Sequence, residues 1–243
     1  MNVFSFCLYG PENPKYYVGI FENVDLAATH FPEWKVYIYY APDVPEETVA
    51  ALGRHSNVVL RPTGINGEEN TIHRFYAIDE PEVDLMLVRD ADSRIHWKDR
   101  WAIHEFLAKP EFIAHGIRDH VMHTADLLAG LWGLRKSAGL CMREEYASYA
   151  AFSKPTYKFG HDQNFLGDIL YPKVRSRLLV HYSNGQSRSD DNAVEFPFVW
   201  TNDIYCGRVE LEDISPPKRQ PAPPAPPPQP DSTPLILKFL HRK

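Results

Sequence analysis

The sequence is poor in the residues that build crosslinked or metal-stapled folds. Its 243 residues include three cysteines, Cys7, Cys141 and Cys206, and no CxxC pair. An odd, widely spaced set excludes a disulfide framework and a cysteine-rich zinc module, and points to free thiols in a reducing compartment. No stretch approaches the roughly 20 apolar residues that span a bilayer. No signal peptide opens the chain, because Asn2-Val3-Phe4-Ser5-Phe6 already reads as a strand. The expectation is a cytoplasmic protein without stable membrane insertion. Positive charge is also short: 26 Lys and Arg against 32 Asp and Glu leave a net charge of −6. That balance argues against nucleic acid as a partner. The chain after the first strand, Leu8-Tyr9-Gly10-Pro11-Glu12-Asn13, holds neither GxGxxG nor a Walker lysine. Dinucleotide and P-loop chemistry are therefore excluded. A GGxGTRL-like nucleotidyltransferase loop is absent as well.

Proline is plentiful in one place. Ten of the 21 prolines fall between Pro216 and Pro234. Such a segment supplies neither a sheet ladder nor a helix, and the composition predicts an extended linker over 214–234. A short apolar and basic terminus, 235–243, follows it. The linker is a candidate tether for a partner or a further domain.

Residues 1–213 read as one α/β domain, with 44% apolar and 24% charged residues overall. Strand-like runs fall at 3–9, 35–40, 57–61, 85–89, 112–116, 127–134 and 177–181. Helix-like runs fall at 16–30, 46–54, 71–78, 98–108, 140–151 and 162–170. The early alternation predicts a parallel sheet with right-handed crossovers, and the less regular second half predicts added antiparallel strands. No internal repeat is visible.

One apolar run, Leu85-Met86-Leu87-Val88, ends abruptly in Arg89-Asp90-Ala91-Asp92-Ser93. A run of this kind reads as a strand buried on both faces. Ligands in open α/β sheets bind beyond the carboxyl ends of such strands. Asp90 and Asp92, two apart in an extended chain, would point to the same side. Their mutual repulsion suits a hard divalent cation, Mn²⁺ or Mg²⁺. The alternative is a pair of turn aspartates. Arg74 and Arg89 are candidate cations for a diphosphate, or plain salt-bridge formers.

His161-Asp162-Gln163-Asn164-Phe165-Leu166 is the second informative stretch. On a helix, Asp162 shares a face with Phe165, Leu166 and Ile169, which sets it at the inward N-terminal edge. It could act there as a base or as a helix cap. His181 follows a strand-like run and reads as a metal ligand or as a structural histidine. The imidazole-rich segment 115–123 matches no zinc spacing. Asp119 and His123 are its choices for a pocket that holds sugar hydroxyls. Glycines in Ala129-Gly130-Leu131-Trp132-Gly133-Leu134 suggest close approach of a ligand or of backbone. Trp132 offers a flat face for a sugar ring, or packs in the core.

Taken in order, RDADS, AGLWGLR, HDQNF and LVHYSNG resemble GT-A fold glycosyltransferases. The likeness is to small bacterial and large-DNA-virus enzymes loosely related to glycosyltransferase family 8, over roughly residues 2–205. The resemblance implies a GT-A type fold, a nucleotide-sugar donor (a UDP-sugar first among them), a glycan acceptor and Mn²⁺. It implies that Asp90 and Asp92 form the Asp-x-Asp motif, with His181 as a third metal ligand. Asp162 and Gln163 would line the reaction centre, and Gly130 would lie near the donor sugar. Tyr9, Arg74 and Trp132 complete the expected donor side. The family lysine that follows the late histidine and holds the diphosphate has no counterpart in Tyr182-Ser183-Asn184-Gly185. Nucleotide-sugar hydrolysis, nucleotidyl transfer and non-catalytic sugar binding are the alternatives.

Overall fold

A computed structural model describes residues 1–10, 13–152, 160–183, 192–197 and 204–209. The expected Pro-rich linker and terminus lie outside these residues, as do Asn184 and Gly185. Met1–Leu211 makes one compact unit.

Eight strands form one sheet in the order β3-β2-β1-β4-β6-β5-β7-β8. They are β1 (Asn2–Leu8), β2 (Lys35–Tyr40), β3 (Val58–Pro62), β4 (Leu85–Arg89), β5 (Ala114–Arg118), β6 (Leu131–Arg135), β7 (Leu178–Tyr182) and β8 (Ala193–Glu195). β1 to β4 run parallel, and β6 lies antiparallel between β4 and β5. β7 and β8 continue parallel to β5. The expected antiparallel second half is thus confined to β6. β6 runs opposite to both of its neighbours, and β7, reached from β6 through helices, lies on the far side of β5 and parallel to it.

The helices are α1 (Pro14–His30), α2 (Glu46–Leu52), α3 (Trp97–Leu107), α4 (Met142–Phe152), α5 (His161–Phe165) and α6 (Tyr171–Val174). Two differ from the sequence expectation. The predicted helix over 71–78 is a run of 3₁₀ turns, Gly67–Asp79. The predicted helix over 162–170 breaks into α5, one π turn at Leu166–Leu170 and α6.

The strand period divides the core between the two sheet faces. Val3 and Cys7 pack with Tyr39, Phe75, Trp132 and Phe165 on one face. Phe4, Phe6 and Leu8 pack with Ile20, Val24 and Ile38 of α1 and β2 on the other. β4 is buried along its whole length. Its end, with the ends of β1 and β2, opens the sheet edge at which the polar side chains gather. Among the described residues, no helix is long and apolar enough to cross a membrane.

Candidate active site

Arg74 is the hub of the polar cluster at the carboxyl end of β4. It is buried, and its backbone carbonyl accepts from the Ser5 hydroxyl at 2.6 Å, which ties it to β1. One guanidinium nitrogen, Nη1, donates to Asp90, the residue that follows β4. The other, Nη2, donates to Asp162 Oδ2 at 2.9 Å. Asp162 comes from the start of α5. Gly160 precedes α5 in a left-handed conformation (φ 81°), and its amide donates to Glu68 in the 3₁₀ segment at 3.1 Å. That bond brings the two segments carrying Arg74 and Asp162 together. Burial pulls the Arg74 pKa down, but the carboxylates of Asp90 and Asp162 and the nearby Cys7 outweigh it, so the net shift is upward. Burial pushes the Cys7 thiol up to about 12, so it stays protonated and unreactive.

The chain does not run extended through Asp90-Ala91-Asp92. It turns there: the Ser93 amide and hydroxyl both donate to the Asp90 carbonyl, at 3.3 and 3.0 Å. The two carboxylates therefore meet different cations. Asp90 pairs with Arg74, and Asp92 Oδ2 lies 2.7 Å from the Lys15 ammonium at the start of α1. Lys15 carried no signal in the sequence, being one basic residue in a helix. The Asp90 side chain is 45% exposed.

Gly130 lies just before β6, opposite Asp90 by the β4–β6 register. A Cβ there would overlap Oδ2 and Cγ of Asp90. The glycine lets the Asp90 carboxylate rest against backbone. Gln163 fixes that backbone: its side-chain carbonyl accepts from the Ala129 amide at 3.0 Å, and its amide donates to the Leu127 carbonyl at 2.6 Å. Gln163 is thus a positioning residue for the loop that was expected to be part of a strand. Tyr9 follows β1 and is half-buried near this cluster, with its hydroxyl pKa raised by burial.

Five expected site residues lie elsewhere. His181 does not join Asp90 and Asp92. It is buried in β7 beside Trp101 and Phe196, and both ring nitrogens are engaged. Nδ1 meets His115 Nε2 at 2.9 Å, and Nε2 meets Glu105 Oε2 at 3.0 Å. Burial lowers the pKa of both histidines. The hydrogen bond from His181 holds Glu105 down to about 2. Trp132 is fully buried, edge-on to Phe75 at 5.0 Å, and is core instead of a sugar platform. Asp119 is buried against the Lys98 ammonium at 2.5 Å and accepts from the Cys206 amide. His123 lies beside it at 3.4 Å and accepts from the Asp119 amide, so the pair ties the β5–β6 connection to itself. Arg89 likewise holds buried Asp99 at 3.0 Å. Register turns the strand residues Arg89, Trp132 and His181 inward, while Asp119 and His123 lie just beyond the end of β5.

His96, Asp99 and Cys206 bring ligand-type atoms within 4.8 Å of one another. Their present bonds are structural. His96 Nδ1 caps α3 by accepting the Lys98 amide at 3.0 Å. A neutral imidazole with Nδ1 accepting keeps its proton on Nε2, the nitrogen a metal would otherwise take. Asp90 and Asp92 carry the oxygen donors that suit a hard cation, and each now meets a separate side-chain cation.

No protein-family model matches the sequence, and no curated protein matches it. Solved structures do match. The galactosyltransferase LgtC, in complex with donor and acceptor sugar analogues, shares 12% identity over 75% of this chain and 76% of its own, with a TM-score of 0.51. CMP:2-keto-3-deoxy-manno-octonic acid synthetase in complex with CTP shares 10% identity over 77% and 93%, with a TM-score of 0.50. A glycosyltransferase involved in glycosylation of the PBCV-1 major capsid shares 16% identity over 75% and 82%, with a TM-score of 0.49. The chain has a GT-A type fold.

Proposed function

We propose that this protein is a divalent-metal-dependent glycosyltransferase that moves a sugar from a nucleoside-diphosphate sugar to an acceptor hydroxyl. The observation that carries the reading is the buried Arg74 joining Asp90 and Asp162 at the carboxyl edge of the sheet. Asp90 and Asp92 would hold Mn²⁺ or Mg²⁺, whose chemistry when bound is to neutralise charge on the leaving diphosphate. Arg74 fixes the direction of the Asp90 carboxylate and adds positive charge beside it. Gly130 lets the Asp90 carboxylate lie against backbone at the donor side, and Tyr9 lines the same edge. Gln163 keeps the Leu127–Gly130 backbone in place. Asp162 accepts two hydrogen bonds, from Arg74 and from the Gln163 amide. A carboxylate accepts about four, so it has capacity for a sugar hydroxyl.

In an inverting transfer the acceptor oxygen bonds to the anomeric carbon. The bond from that carbon to the diphosphate breaks, and Asp162 takes the hydroxyl proton. UDP-sugars are the first donors to test. Melting curves of the full chain with UDP-, GDP-, TDP- and CMP-sugars, each with and without Mn²⁺, read donor binding by mass action. Stabilisation by one donor only when Mn²⁺ is present supports the reading. Asp92→Asn is expected to abolish Mn²⁺-dependent turnover while lowering the apo melting temperature by no more than about 2–4 °C. Full activity in that variant refutes it. Release of free sugar without acceptor, or of nucleotide sugar from a sugar phosphate, would identify the hydrolase or the nucleotidyltransferase instead.

A further inference from the structure

The turn that carries Asp90 and Asp92 is read residue by residue by one face of α1. Positions 15, 19, 22 and 23 lie one above the other on a helix. Lys15 meets Asp92. Gly19 lies against the Ala91 carbonyl, where a Cβ would overlap it. Glu22 pairs with Arg94. The Asn23 amide group donates to the Ser93 carbonyl at 2.7 Å and accepts from the Ile95 amide at 2.9 Å. The last three contacts fix the height of α1 over the loop, and that height delivers the Lys15 ammonium to Asp92. Proline at the first turn and the Asn13 side chain, which accepts the Lys15 amide at 3.1 Å, fix where the helix begins.

Lys15 is therefore placed by the fold, yet its side chain is 31% exposed and its partner is the carboxylate proposed to hold the metal. An ammonium and a divalent cation cannot both own the same carboxylate oxygen. Were Asp92 to hold a metal, the ammonium would be freed beside it and could meet the phosphates of a bound donor. Its flexible stem and three donors suit that exchange.

We propose that Lys15 is the diphosphate-binding cation of the donor site, exchanging between Asp92 and the donor phosphates. This rests on the glycosyltransferase reading. It also accounts for the missing lysine after β7: the charge comes from the first helix instead.

The test compares the full-length protein with Lys15→Met, which keeps the stem and removes the charge. Calorimetry is run with Mn²⁺ alone, with UDP and GDP in saturating Mn²⁺, and with uridine and guanosine. Loss of a partly exposed ion pair should tighten Mn²⁺ alone by about two- to fivefold. Loss of one charge-assisted contact should weaken the nucleoside diphosphate by about tenfold. The bare nucleosides should bind both proteins alike, and Lys15→Arg should restore the diphosphate. If wild type binds a nucleoside diphosphate and Lys15→Met binds it equally well, Lys15 is a surface ion pair only and the proposal fails alone. If wild type binds neither diphosphate in Mn²⁺, the donor reading fails and takes this one with it.

Discussion

Replacing Arg74 by methionine separates the two carboxylates it holds. The side chain is buried, so its loss leaves partners behind instead of opening a surface. Asp162, with an 11% exposed side chain, would keep only the Gln163 amide as a partner. Asp90, at 45%, can turn to water. Removing one partner of a buried pair costs about 3–5 kcal/mol, whereas an exposed pair is worth about 1 kcal/mol or less. The loss should therefore come almost wholly from Asp162, even though Asp90 makes the closer contact. Neutralising the orphan tests this. Arg74→Met with Asp162→Asn should recover about 1.5–3 kcal/mol relative to the sum of the single changes, while Arg74→Met with Asp90→Asn should recover less than about 1 kcal/mol. Urea unfolding of the six proteins in the two cycles reads both, and for a domain of this size each kcal/mol moves the melting temperature by about 2–4 °C. Equal coupling for the two aspartates, or additivity within about 0.5 kcal/mol at Asp162, would refute the claim that burial sets the energetics of the hub.

Two further outcomes follow from the same geometry. Gly130→Ala should push the Asp90 carboxylate off Arg74, because the new methyl overlaps Oδ2 and Cγ. Donor affinity should drop by about tenfold with a stability loss of about 1 kcal/mol, since Asp90 is free to swing into solvent; unchanged affinity in a titration would show that Asp90 does not face the donor. Acidification should destabilise the fold through His115 and His181. Their folded pKa values lie below the usual 6.5, with burial the leading cause for each. The unfolded chain then binds protons that the folded chain refuses, so stability is full above 6.5 and falls below it. The slope should approach about 1.4 kcal/mol per pH unit for each histidine held neutral, and His115→Gln should roughly halve it. A flat urea midpoint from neutral pH to one unit below 6.5 would remove the claim.

The strand period and the buried run ending in Arg89-Asp90-Ala91-Asp92 were enough, read from sequence, to place a sheet edge and two carboxylates on it. Local pattern carries that information, since a strand buried on both faces must be apolar and must end where polar groups begin. The 3₁₀ character of Gly67–Asp79 and the π turn in Leu166–Leu170 were not legible, because tertiary contacts and not local propensity set the turn type there. Trp132 and His181 looked like site residues because one-dimensional position does not say which way a strand faces. Register decided it: β6 turns Trp132 onto Phe75, and β7 turns His181 onto His115 and Glu105.

Sequence alone determined the fold class and set Asp90 and Asp92 just beyond the end of β4. Only the tertiary structure decided which charges meet them. Arg74, Lys15 and Asp162 come from three segments far apart in the chain. Their convergence depends on the height at which α1 packs on the Asp90–Ile95 loop and on the Glu68–Gly160 bond. Neither contact leaves a periodic trace, because each is a single pairing fixed by packing.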